Sequence, residues 1–163
     1  AIIGAGNMGS AIARGMAKGS IVPATSITVS NPSQGKLDRL KAAFPALQVT
    51  RDNRAAAKGA DMVILAVKPW LIEPVVKELG IEADTLVVSV AAGISCGQLA
   101  GYTGNLGQPV FRLIPNTAIS EMQSMTLITG NNTTDEQRKL MLDIFCEMGM
   151  ALWLPEEKIF VWK

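Results

Sequence analysis

The stretch Ala1-Ile2-Ile3-Gly4-Ala5-Gly6-Asn7-Met8-Gly9 decides how the whole chain is read. A short apolar run enters a Gly-x-Gly-x-x-Gly turn, and Met8, Ile12, Ala13 and Met16 then recur at helical spacing as far as Lys18. Strand, glycine turn and helix in that order form the context in which this pattern carries chemistry. Gly4 permits the tight turn, Gly6 lets a pyrophosphate approach the backbone, and Gly9 lets helix and strand pack closely. The helix N-terminus favours the phosphate charge. A glycine-rich turn that holds no ligand is the plain alternative.

Outward from this turn, β-branched runs alternate with amphipathic stretches, the pattern of βαβ units and a parallel sheet. Further strands are expected over 27–29, 48–50, 62–67, 85–90, 110–114, 125–128 and 150–154. The uninterrupted apolar run from Met62 to Val67 suits a strand buried on both faces. Helices are expected over 8–18, 36–44, 54–58, 71–79 and 95–100, the second stopped by Pro45. Thr134 with Gln137 three places on makes a capping box, opening a helix to about Met148 that Gly149 closes. The expected fold class is α/β, a doubly wound and mostly parallel sheet.

The chain has 163 residues, 48% of them hydrophobic, which suits one domain over 1–154 followed by the start of a further segment over 155–163. Fifteen Lys and Arg against fourteen Asp and Glu leave a net charge of +1, with no general electrostatic pull toward nucleic acid or membrane. There is no histidine, and Cys96 and Cys146 stand at no metal-ligand spacing, so zinc and Ser-His-Asp chemistry are set aside and no metal is expected. No leader pattern and no apolar run near the ~20 residues of a membrane span is visible, which makes the cytoplasm the expected setting. Ala1 already lies inside an apolar run, so the true start is expected a few residues upstream.

At the end of the second strand, where NAD-preferring domains carry an acidic residue, the chain reads Ser30-Asn31-Pro32-Ser33. No carboxylate repels a 2′-phosphate there, Asn31 and Ser33 can donate to one, and Lys36 follows about one helical turn on, which favours NADP over NAD. The same residues also suit a turn and an N-cap. Lys68-Pro69 ends the fourth strand and Ala91-Ala92-Gly93 the fifth, the edge at which ligands sit in open α/β sheets. The small side chains leave room for a cofactor ring, or they fill a tight corner.

Taken in order, Ile3 to Gly9, Val63 to Pro69, Val88 to Gly93 and Arg112 to Thr117 resemble the motifs of pyrroline-5-carboxylate reductases, and the resemblance covers essentially the whole chain. It implies a Rossmann-like domain in an NAD(P)H-dependent imine reductase that makes L-proline from 1-pyrroline-5-carboxylate. The implied cofactor contacts are Ile3, Gly4, Ala5, Gly6, Asn7, Met8, Asn31, Asn53, Ala66, Val67, Lys68, Pro69, Ala91, Ala92 and Gly93, with Asn53 toward the adenosine end. Glu157 matches a position near the substrate, and is otherwise a surface glutamate. Asn116 and Thr117 either position the substrate carboxylate or the cofactor carboxamide, or form a turn after Pro115. A protonated imine is already electrophilic, so the protein has mainly to orient it, which fits a chain without histidine.

The chain departs from the family pattern in three places. Ala118 replaces a proline, the loop from Ser120 to Ser124 lacks the usual glycine, and Val161-Trp162-Lys163 does not follow the motif. The family's C-terminal helical dimerisation domain, with its Ser-Gly-Ser-Gly-Pro motif, is absent from this sequence, so homo-oligomerisation is expected of the full-length protein and poor catalysis of this chain alone. Other readings are a β-hydroxyacid dehydrogenase, a deazaflavin-dependent NADP reductase, or a nucleotide-sensing module without turnover.

Overall fold

The computed structural model describes residues 1–159; the odd ending Val161-Trp162-Lys163 lies outside the described residues. An eight-stranded sheet has the order β3-β2-β1-β4-β5-β6-β7-β8. Its strands are β1 (Ile2–Ile3), β2 (Thr28–Ser30), β3 (Gln48–Thr50), β4 (Met62–Leu65), β5 (Leu86–Ser89), β6 (Val110–Ile114), β7 (Ser124–Asn131) and β8 (Gly149–Trp153). Strands β1 to β6 run parallel, β7 is antiparallel to β6, and β8 is parallel to β7. The order reverses between β1 and β4, and a crevice opens at the carboxyl ends of strands at such a switch point.

Helices cover both faces, as the alternating pattern predicts. On one side, α1 (Asn7–Lys18), α2 (Gln34–Ala43) and α6 (Asp135–Cys146) bury Ile12, Leu37, Leu40, Met141 and Phe145 against Ile2, Val29, Ile64 and Phe111. On the other, α3 (Asn53–Ala57), α4 (Pro69–Leu79) and α5 (Cys96–Tyr102) enclose Ile3, Val63, Leu65, Val87, Ile72 and Leu99. Residues 63–65 are buried in succession because successive side chains enter opposite cores.

Several boundaries move for local reasons. β4 stops at Leu65 rather than Val67, since the backbone turns at Ala66 to meet Gly4. Lys68-Pro69 is the start of α4: Lys68 is the N-cap and Pro69 the first helical residue, where its missing N–H costs nothing. The capping box of Thr134 and Gln137 forms as expected. Gly149, however, opens β8 instead of closing α6. Its φ of 135° and its approach to the Ser124 carbonyl, which any Cβ would strike, require glycine there. β7 starts at Ser124, where it pairs with β8, and extends to Asn131, where it pairs with β6. After Pro115 a 3-10 helix, Thr117–Glu121, packs against α1, and a last short helix, α7 (Glu156–Ile159), follows β8. Met122 ends the 3-10 turn at φ 60°, so the left-handed position in the loop without glycine is held by methionine.

Candidate functional site at the strand-order reversal

The turn after β1 sits at the switch point and is held from three sides. Gly4 N–H donates to the Ser30 carbonyl at 2.7 Å, Ala5 N–H to Asn31 Oδ1 at 3.0 Å, and Ser10 Oγ to the Ala5 carbonyl at 2.8 Å. Gly4 has φ 106°, and a Cβ there would lie 2.5 Å from the Ala66 carbonyl oxygen. A Cβ on Gly9 would overlap the Gly4 carbonyl and come within 3.2 Å of Ala66 Cβ. Gly6 is different: nothing lies within 4 Å of its Cβ position, so its flank is open space. Gly6 caps α1 with no side-chain hydrogen bond and no acidic residue follows in the first turn. The first N–H groups of α1, beginning at Asn7, thus meet the opening without an intrahelical partner, an arrangement that attracts phosphate.

Asn31 is buried, and its side chain is already committed. Oδ1 accepts from Ala5, and Nδ2 donates to the Ser33 carbonyl at 3.2 Å. Its main contribution in this structure is to join the end of β2 to the glycine turn. Asn53, first residue of α3, accepts a short hydrogen bond from Ser30 Oγ, which places it beneath the same end of β2. Ser33 is exposed at the N-cap of α2 without a side-chain cap bond. Ala66, Val67 and Lys68 form the turn after β4, against Gly4 and Gly9, with Lys68 exposed. Ala91, Ala92 and Gly93 form the turn after β5; Ala91 N–H is held by Ser89 Oγ at 3.1 Å, and Ala92 and Gly93 are exposed. The structure therefore brings the ends of β1, β2, β4 and β5 to one edge.

A cleft of about 470 Å³ leads from this edge along the outer face of α1. Gly6, Ser10 and Arg14, four residues apart, line its floor; Lys36, Arg39 and Leu40 of α2 form one wall, and Thr117 and Ser120 contribute from the other. Sequence reasoning missed Arg14, Arg39, Ser10 and Ser120, although the four-residue spacing along α1 was readable. Asn116 Oδ1 accepts Ala118 N–H at 3.1 Å, so the Asn-Thr pair does form a turn after Pro115, and that turn carries Thr117 to the cleft.

Glu157 is exposed on α7, and its neighbour Glu156 makes the contacts. Glu156 Oε1 lies 3.4 Å from Arg112 Nη1 and accepts Cys96 N–H at 2.8 Å. This ties α7 to β6 and to the start of α5, just beyond the Ala91–Gly93 turn. Burial, reinforced by the Glu156 carboxylate, pushes the Cys96 thiol up to about 12, Arg112 opposing in part. Such a thiol is a structural group and a poor nucleophile. Trp70 is 73% exposed at the start of α4, so it packs against little of this domain.

A family model described as NADP oxidoreductase, coenzyme F420-dependent, matches residues 1–93. A pyrroline-5-carboxylate reductase of Methanosarcina acetivorans is 36% identical over 159 residues, covering 94% of this chain and 57% of the relative. The structure of a pyrroline-5-carboxylate reductase from Coxiella burnetii superposes with a TM-score of 0.84 at 32% identity, over 96% of this chain and 58% of that one. A Plasmodium falciparum pyrroline carboxylate reductase, solved with NADP bound, shares the fold at TM-score 0.85 and 23% identity, over 97% and 58%. In each case the chain spans less than two thirds of the relative's own length.

Proposed function

The chain belongs to the NADP oxidoreductase, coenzyme F420-dependent family, and on that premise we propose that it is the dinucleotide-binding half of a pyrroline-5-carboxylate reductase. The reaction is reduction of the C=N bond of 1-pyrroline-5-carboxylate to L-proline, with NADP as the cofactor and NAD as a possible substitute. One observation carries the reading: the turn at Gly6 is open to a ligand, whereas Gly4 and Gly9 are closed against Ala66 at the reversal of strand order. Among the relatives, the similarity to pyrroline-5-carboxylate reductases runs past the 93 residues of the family model to nearly the whole chain, which supports the imine substrate over the other reductases of this fold.

On this reading the N–H groups after Gly6 hold the pyrophosphate, Asn53 and the end of β2 support the adenosine side, and Ala66 to Pro69 with Ala91 to Gly93 bound the nicotinamide side. The nicotinamide, when bound, supplies the hydride. The chain's own part is orientation: small side chains at 91–93 admit a flat ring, and Thr117, brought to the cleft by its turn, is placed to donate to a carboxylate or carboxamide. Glu157 is assigned the substrate side of this edge. Residues 1–154 act as one dinucleotide-binding unit, the partner is a small molecule, the setting is cytoplasmic, and assembly into a homo-oligomer belongs to the longer protein.

The test is titration of this chain with NADPH and NADH, followed by imine turnover in a chain extended to the relatives' length. Saturable NADPH binding and proline formation are expected. Failure to bind either nucleotide would overturn the reading.

A further inference from the structure

One carboxylate oxygen gathers three elements of the fold. Glu156 Oε1, at the start of α7, accepts Cys96 N–H at 2.8 Å and lies 3.4 Å from Arg112 Nη1. The Cys96 thiol bonds to the same carboxylate. Arg112 stands in the middle of β6, its side chain 6% exposed; Val110, two residues earlier and therefore on the same face, belongs to the core that α5 covers. Ile159, at the end of α7, is buried as well. A charge pair so withdrawn from water sits in a low effective dielectric, where displacing either partner costs more than it would at a surface.

Each of the three elements leads to the ligand edge. β6 runs on through Pro115 into the turn that carries Thr117 to the cleft, and α7 itself bears Glu157. Cys96 opens α5 just after the turn of Ala91, Ala92 and Gly93, whose near end is held by Ser89 Oγ on Ala91 N–H at 3.1 Å. Between these two holds the turn has little against it: Ala92 and Gly93 are exposed, Gly93 takes a φ of 79°, and nothing lies within 4 Å of its Cβ position. A ring seated on such small side chains is placed by the backbone beneath it, and a misplacement of about 1 Å is enough to slow a reaction between positioned groups.

We infer that Glu156 is a positioning residue for hydride transfer: fixed by Arg112, it holds the 91–93 turn, and with it the seat of the nicotinamide ring, in register with β6 and the Thr117 turn. This rests on the proposed dinucleotide site and deepens it. Glu156 touches no ligand, so its loss is felt at the nicotinamide half of the cofactor and not at the adenosine half, which the ends of β1 and β2 support from the other side of the strand-order reversal.

The experiment is calorimetric titration of the chain and of Glu156→Gln, Arg112→Lys and Phe145→Leu with NADPH and with 2′,5′-ADP, which lacks the nicotinamide half. Glu156→Gln keeps an acceptor for Cys96 N–H but removes the charge that faces Arg112; it should weaken NADPH roughly 3- to 30-fold and leave 2′,5′-ADP within about twofold. The emission of bound NADPH, which reports the surroundings of the ring, should move toward that of the free nucleotide. Arg112→Lys, which keeps the charge without the planar fork, should show the same selectivity. Glu156→Asp, with its charge one methylene short, should show it at smaller size and carries the test if the Gln variant does not fold. Phe145→Leu truncates the core on the opposite face of the sheet, so it destabilises the chain away from this junction and should shift neither ligand. Equal loss for both ligands, no loss of NADPH in any junction variant, or the same selective loss in Phe145→Leu would overturn the positioning role while leaving the dinucleotide site standing. Binding of neither ligand by the unaltered chain would remove both.

Discussion

Asn31 Oδ1 accepts the Ala5 N–H at 3.0 Å, so the end of the second strand holds the shape of the turn that follows the first. The residue that sequence alone offers as a donor to a 2′-phosphate spends its acceptor on the backbone of the phosphate turn and one donor on Ser33. This separates two kinds of polar residue at one edge: those that build the turn and those that face the cleft.

Removing the builder should affect both nucleotides alike. Asn31→Ala is expected to cost about 1–3 kcal/mol of stability, the penalty for a buried donor left unpaired, and to weaken NADPH and NADH together. Asn31→Asp keeps the acceptor but places a negative charge at the end of β2, so it should penalise NADPH more than NADH. Paired titrations with a denaturant midpoint separate these outcomes, and a NADPH-specific effect of Asn31→Ala would contradict the assignment.

Gly6 and Gly9 should fail in opposite ways. Gly6→Leu meets open space and should cost no more than about 1 kcal/mol, the scale of an N-cap change, while abolishing nucleotide binding. Gly9→Ala drives a methyl into the Gly4 carbonyl and should cost about 1–3 kcal/mol as an overpacked contact. Chemical denaturation and nucleotide titration of both variants check the contrast; a destabilised Gly6→Leu that still binds nucleotide would refute it.

The glutamates of α7 should differ sharply. Glu156→Ala leaves Arg112, whose side chain is 6% exposed, without this partner, and should cost about 3 kcal/mol, the low end for a buried pair because Glu156 is itself 26% exposed. Glu157→Ala at an exposed position should stay within about 0.5 kcal/mol. Unfolding midpoints of the two variants measured side by side give the answer.

The two thiols should react on different timescales. Cys146 is exposed, whereas Cys96 is buried with its thiol pushed up to about 12, so an alkylating reagent at pH 8 should label Cys146 in the folded chain and Cys96 only on unfolding. Peptide mass mapping over time reads this directly. Equal native labelling would mean that α5 opens readily.

Acid should loosen the turn after α1. Glu147 is held below the usual carboxylate range by the Ser20 hydroxyl and by the N–H groups of Ser20 and Ile21. A depressed folded pKa means that its stabilisation is fully present above the unfolded value and is lost as pH falls through the folded one. The stability difference between the parent chain and Glu147→Gln should therefore be largest near neutrality and shrink in acid, as denaturant midpoints across that range would show. A gap that widens on acidification would reverse the sign.

Periodicity and turn chemistry along the sequence were enough to determine the α/β class, the glycine turn, nearly every strand and helix, and the Thr134–Gln137 cap. Each depends on residues close together in the chain. Tertiary structure decided what depends on residues far apart. It set Asn31 as a brace for Ala5, brought Glu156 to Arg112 and Cys96, and required glycine at 149 because Ser124 presses against it. It also brought Arg14 to the same cleft as Lys36 and Arg39, a convergence that no local spacing encodes, because it arises only when two helices pack side by side on one face of the sheet.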